Sequence, residues 1–200
     1  AQAGEAARDL AYGPDERQRL DVYQPAKPGA VAGHPAAIIF FHGGGWRRGN
    51  RTRHRFVGRA LTEMGHVAIL ANYRLYPQVA FPVFVDDGAA AIAYARARAG
   101  RFGFDPDRIY LMGHSAGAHI AMLLALDPRY LRKAKVPRAA IRGAIIDDCA
   151  LAAALKPRGP IWLGLAEDHH SLRPYEGLGG LWQMVARSAF AQLRHSWLLL

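Results

Sequence analysis

Two short segments of this 200-residue chain put residue types where acyl-transfer chemistry would need them. The first is Gly113-His114-Ser115-Ala116-Gly117, a G-x-S-x-G pattern between the apolar run Arg108–Met112 and the apolar stretch Ala116–Leu126. A strand-to-helix turn this sharp holds its serine at strained φ/ψ, with the hydroxyl projecting above the sheet. Residues two before and two after the serine must then lack bulk, as Gly113 and Gly117 do. The amide of Ala116, at a helix N-terminus, would be an orphan donor pointing toward any oxyanion formed at Ser115. The second segment is His42-Gly43-Gly44-Gly45-Trp46, directly after the apolar run Ala36–Phe41. Three consecutive glycines leave backbone amides sterically bare, so that a carbonyl oxygen can approach them. Chance would supply only about 0.04 matches to the first pattern and about 0.01 to His-Gly-Gly-Gly in a chain of this composition. A phosphate cradle is the other use of such a loop, but no G-K-[ST] completes one.

Positioning these segments requires a regular frame. Leu10–Tyr12 and Arg19–Tyr23 read as short strands around the turn Gly13-Pro14-Asp15, after ten residues that read as a frayed helix or tail. Ala36–Phe41, His66–Ala71, Arg108–Met112, Ile141–Ile146 and Ile161–Leu165 read as strands buried on both faces. Between them, helices are expected over Asn50–Met64 with a cap at Gly65, over Phe84–Ala99 with a stop at Gly100, and over Ala116–Leu126 closed by Asp127-Pro128. Another is expected over Leu181–Leu193, and no clear final strand follows Ile161–Leu165. Strands alternating with helices predict an α/β fold, a doubly wound, mostly parallel sheet with ligands at the carboxyl ends of its strands. No stretch resembles an interdomain linker, so residues 1–200 are expected to form one domain.

The bulk properties exclude other classes. Hydrophobic residues make up 51% and charged residues 21%, which argues against a disordered chain. No apolar run approaches the ~20 residues that a membrane-spanning helix needs. The single cysteine, Cys149, excludes an intrachain disulfide framework, and no ligand spacing suggests a metal or another cofactor. The net charge of +10 is mostly arginine, densest at Arg47, Arg48, Arg51, Arg53 and Arg55. Only Trp46 and Phe56 adjoin that cluster, which is not the interleaved pattern of a base-stacking surface, so nucleic acid is not the expected partner. The chain opens at Ala1 with neither Met nor a charged-then-apolar leader, as expected of a fragment or of a chain whose signal peptide has been removed.

With those motifs in hand, the sequence resembles an α/β-hydrolase of the hormone-sensitive-lipase-like group, and bacterial carboxylesterases of the HGGGW type in particular. The shared stretches are Leu10–Pro25, Ile38–Gly49, Asn72–Pro82 and Asp105–His119, within residues 10–146. The resemblance implies that Ser115 is the nucleophile and that the amides of Gly44, Gly45 and Ala116 form an oxyanion hole. It also implies a structural His42 bracing the glycine loop, a scaffold role for Asn72–Pro82, and no cofactor. Trp46 either lines the substrate pocket or packs beneath the loop.

A serine hydroxyl needs a base, and the base needs an orienting acid, in the chain order Ser, Asp or Glu, His. Here the sequence departs from the family. The stretch between Ile146 and Ile161 is short, which implies a short or missing lid, and the usual Gly-x-x-Asp acid turn is absent. Asp168, after Ile161–Leu165, is the expected acid, with Asp147 and Asp148 as alternatives one strand earlier. His195, near the C-terminus as the family's order implies, is the expected base; His169 and His170 adjoin Asp168, which makes the required side-chain meeting difficult. The expected activity is hydrolysis of small, short-acyl esters. The rivals are a non-catalytic relative that lacks a working acid–base pair, and a formamidase or amidase.

Overall fold

The computed structural model describes residues 6–26 and 35–147. Residues 148–200 lie outside them, and with them the strand expected at Ile161–Leu165, the helix expected at Leu181–Leu193, and Asp148, Asp168 and His195. Six strands form one sheet: β1 (Ala6–Ala11), β2 (Arg19–Tyr23), β3 (Ala37–Phe41), β4 (Val67–Ala71), β5 (Ile109–His114) and β6 (Ile141–Asp147). Their spatial order is β1-β2-β4-β3-β5-β6. The strands β4, β3, β5 and β6 run parallel, while β2 joins β4 and β1 joins β2 antiparallel. The helices are α1 (Arg55–Glu63), α2 (Val83–Arg96), α3 (Ala99–Phe102), α4 (Ala116–Leu126) and α5 (Pro128–Lys133). This is the mostly parallel α/β sheet that the alternating pattern predicts.

The central strands are apolar throughout because both their faces are covered. In β3, Ala37, Ile39 and Phe41 point to one face, while Ile38 and Phe40 point to the other. In β4, Val67, Ile69 and Ala71 alternate with Ala68 and Leu70 in the same way. Phe84, Val85, Ala89 and Ile92 of α2 and Ile120, Ala121 and Leu124 of α4 cover the first face. Leu61 of α1 packs on the second.

Three local expectations are corrected. Residues 6–10 are neither helix nor tail: β1 begins at Ala6 and pairs with β2 across a bulge at Asp9, φ 55°. Ala, Arg and Asp carry little strand propensity, so pairing with a buried neighbour decides the conformation. The long helix ends at Arg96, not at Gly100; Gly100 lies within α3, and the left-handed residue is Gly103, φ 75°. Asp127-Pro128 does more than close α4. The Asp127 carboxylate accepts from the Arg129 amide and Pro128 takes the first helical position, so the pair also starts α5.

Behind the carboxyl ends of β3 and β4 lies a buried ionic network. The Arg51 guanidinium donates to Asp21 at 2.9 Å and to Asp9 at 2.7 Å, and its amide donates to the Asn72 side chain at 2.7 Å. Asp87, 1% exposed, accepts from the guanidinium and amide of Arg74 and from Gln18 Nε2. Removing one member of a buried pair leaves the other charge uncompensated. Arg51→Leu is therefore expected to lower the unfolding free energy by about 3 kcal/mol, read as a lower urea midpoint. An unchanged midpoint would show that the Arg51–Asp21 pair does not hold this region.

Candidate active site

The parallel register pairs Phe41 of β3 with Gly113 of β5, so the segments that follow leave the sheet side by side. Ser115 stands between β5 and α4 at φ 51°, ψ −117°, a region that L-residues rarely enter. Its amide donates to the carbonyl of Asp147 at 3.0 Å, which ties the turn to the end of β6. At Gly117 a Cβ would collide with the carbonyl of Phe41 and come within 2.7 Å of the carbonyl of His42. At Gly43 a Cβ would sit 2.6 Å from His114 Nδ1 and 2.9 Å from the His114 carbonyl. The serine turn and the glycine loop are therefore in backbone contact, and two missing side chains permit it.

Beyond that contact the loop turns through the left-handed region three times, at Gly44 (φ 130°), Gly45 (φ 60°) and Trp46 (φ 58°). The amides of Arg47 and Arg48 fold back onto the Gly44 carbonyl at 3.2 and 3.1 Å. The amides of Gly44, Gly45 and Ala116 donate to no partner among the described residues, and Ala116, first in α4, has no i−4 acceptor within its helix. Gly45 faces open space.

The loop is held from behind. His42 is fully buried; its Nδ1–H donates to the Gly43 carbonyl at 2.8 Å, and its carbonyl accepts from the Tyr73 hydroxyl at 2.7 Å. The Tyr73 ring stacks on His42 with centroids 4.5 Å apart, and burial pushes the phenol up, so it stays a donor. Arg17 donates to the carbonyls of Tyr73 and Gly49 at 2.9 and 3.0 Å. Arg17 and Tyr73 lie in the stretches Leu10–Pro25 and Asn72–Pro82, and the contacts of Asn72 and Tyr73 are those of a scaffold segment.

Trp46 is held on three sides. Its carbonyl accepts from the Tyr76 amide at 2.8 Å, and its ring lies 6.3 Å from Phe84 and edge-on to His119 at 5.6 Å. His119 follows Ser115 by one helical turn, so Trp46 packs against the helix that the serine caps. Of the residues singled out in the sequence, Ser115, Gly44, Gly45, Ala116 and Trp46 thus come together at the carboxyl end of the parallel strands. Asp147, at the end of β6, is exposed, and its carboxylate has no partner among the described residues. Among those residues no group of three or more His, Cys, Asp or Glu side chains could hold a metal ion.

Comparison with known proteins places this geometry. A model of the BD-FAE family, esterases with the α/β-hydrolase fold, matches residues 20–140, more than half of the chain. The chain belongs to this family. A probable isoprenylcysteine alpha-carbonyl methylesterase of Oryza sativa subsp. japonica is 37% identical over 123 residues, 60% of this chain and 28% of that protein. Esterase LipC of Mycobacterium tuberculosis is 37% identical over 131 residues, 62% of this chain and 31% of that one. Among solved structures, esterase B of Lactobacillus rhamnosis superposes with a TM-score of 0.58 at 31% identity, covering 67% of this chain and 44% of that one. The chain thus spans less than half the length of each of these relatives.

Burial lowers the pKa of His42 from 6.5 to about 4, against a smaller opposing effect of its bond to Gly43. The folded state therefore favours neutral His42. Its contribution to stability is complete above pH 6.5, falls by about 1.4 kcal/mol per pH unit below that, and levels off below pH 4. His42→Asn, which keeps a donor for the Gly43 carbonyl, is expected to flatten this slope in urea titrations between pH 6.5 and 4. An unchanged slope would move the titrating group elsewhere.

Proposed function

We propose that this protein is a serine carboxylesterase acting on small, short-acyl esters. The observation that carries the proposal is the backbone contact between the Ser115 turn and the glycine loop, together with amides at Gly44, Gly45 and Ala116 that have no partner among the described residues. In this reading the Ser115 oxygen attacks the ester carbonyl carbon while His195 takes its proton. Asp168 orients His195 and stabilises the imidazolium. The carbonyl π electrons move onto oxygen, and the three amides stabilise that charge, each typically worth about 2.7–4 kcal/mol in the transition state. Collapse of the adduct expels the alcohol, which receives the proton from His195. Water, activated by the same histidine, then cleaves the acyl-enzyme and restores Ser115.

Two lines support the ester class and the small acyl group. The relatives named above are esterases, and esterase B was also solved inhibited by a C4-C4 tributyrin phosphonate. In this chain the stretch between Ile146 and Ile161 is short, which leaves little sequence to build a long acyl tunnel.

The test is hydrolysis of p-nitrophenyl acetate by the full chain. Ser115→Ala is expected to lower kcat/KM by at least about 1,000-fold, with His195→Ala comparable. Asp168→Asn is expected to be damaging and Asp147→Asn mild. Wild-type turnover no faster than that of Ser115→Ala would leave a non-catalytic relative, and the opposite ranking of the two aspartates would move the acid to the end of β6.

A further inference from the structure

The loops that follow β3 and β4, residues 42–54 and 72–82, leave the sheet at the same end as Ser115, and α1 begins there. From His42 through Arg55 and from Asn72 through Pro82 there is no carboxylate. Of the six arginines in these segments, Arg51 and Arg74 are neutralised by Asp9, Asp21 and Asp87. Arg47, Arg48, Arg53 and Arg55 are exposed and pair with no carboxylate among the described residues. The other carboxylates at this end are Asp15 and Glu16 on the β1–β2 turn, Asp86 in the first turn of α2, which is paired with Lys133, and Asp147 at the end of β6. Asp15 is itself engaged with the Arg17 amide.

The same segments, with the start of α1, expose aromatic rings. Phe81 is 63% exposed, Tyr76 45% and Phe56 41%. The other large apolar residues exposed to this degree among the described residues, Met64, Leu126 and Ile145, are all aliphatic. The stretch Tyr76–Pro82 has one polar side chain besides the tyrosine hydroxyl, Gln78, and exposes Tyr76, Pro77, Ala80, Phe81 and Pro82. Arg47 lies over the Tyr76 ring, 4.8 Å from its centroid, so cation and aromatic ring form one surface.

We propose that this face docks on an anionic lipid surface, with Arg47, Arg48, Arg53 and Arg55 at the headgroups and Phe81 and Tyr76 at the headgroup–acyl boundary. Unpaired cations supply attraction to anionic lipid, and aromatic rings partition to the interface. A nucleic acid would match the charge equally well, but it needs free ring faces and polar donors between them. The Tyr76 ring is covered by Arg47, and Phe81 is flanked by Ala80 and Pro82. No helix among the described residues is long and apolar enough to cross a membrane. The proposal does not require hydrolysis, and its test is independent of the esterase reading.

The test uses the full chain carrying Ser115→Ala and cosedimentation with large unilamellar vesicles. One set is phosphatidylcholine alone, the other equal parts phosphatidylcholine and phosphatidylglycerol. Binding to the mixed vesicles is expected, weakening as salt rises. Each arginine reversed should lower the partition coefficient about fivefold or more, so that R47E/R48E loses at least about 25-fold. Phe81→Ser is expected to lower it about tenfold with no change in unfolding midpoint, while Arg132→Glu on α5 leaves it unchanged. Equal binding to both vesicle types, or parent-like binding by R47E/R48E and Phe81→Ser, would overturn the proposal. So would retention of a single-stranded oligonucleotide with no vesicle binding, which would identify a nucleic-acid face.

Discussion

Gly117 has no side chain to hold the first turn of α4 away from the carbonyls of Phe41 and His42, and Gly43 has none to hold its loop away from His114. The rest of the site follows from that close approach. A single methyl group at either position would meet backbone or ring atoms of the facing segment, and the two segments could not keep their present spacing. With both methyls absent, the strained serine and the glycine-loop amides that lack a partner among the described residues occupy one end of the sheet. The in-register pairing of β3 and β5 sets their relative height.

Bare amides must be kept bare, which is an unusual demand on a loop. Backbone donors normally find partners, and a flexible loop would fold to satisfy its own. Here the carbonyls of the region are engaged from behind, by Arg17 at Tyr73 and Gly49, by Tyr73 at His42, and by His42 at Gly43. The amides of Arg47 and Arg48 take the Gly44 carbonyl. The donors at Gly44 and Gly45 thus sit in a loop braced by these bonds, the preorganisation that the proposed oxyanion hole would require. Buried charge provides the anchorage: Arg51 joins the loop to β1, β2 and Asn72, and Asp87 joins Gln18 to Arg74.

The sequence makes the serine turn and the glycine loop legible because each is a contiguous motif whose chemistry demands particular residues. The central strands are legible as well, since burial on both faces leaves them apolar without interruption. The braces are not. Arg17 and Gly49 are 32 residues apart, and Gln18 and Asp87 are 69 apart, with no periodicity to link them. The part of β1 before Leu10 was hidden by weak propensities that pairing overrides, and α5 by an Asp-Pro pair that ends one helix and caps the next. Asp168 and His195 rest on chain order and resemblance alone, and both lie outside the described residues.

An activated serine differs from an ordinary one in its reactivity toward a phosphorus electrophile, and this tests the central claim most directly. The full chain is incubated with a fluorophosphonate and the adduct is located by peptide mass spectrometry. The account predicts a single adduct on Ser115, absent after prior denaturation of the protein. No adduct, or one on another serine with Ser115 unmodified, would contradict it.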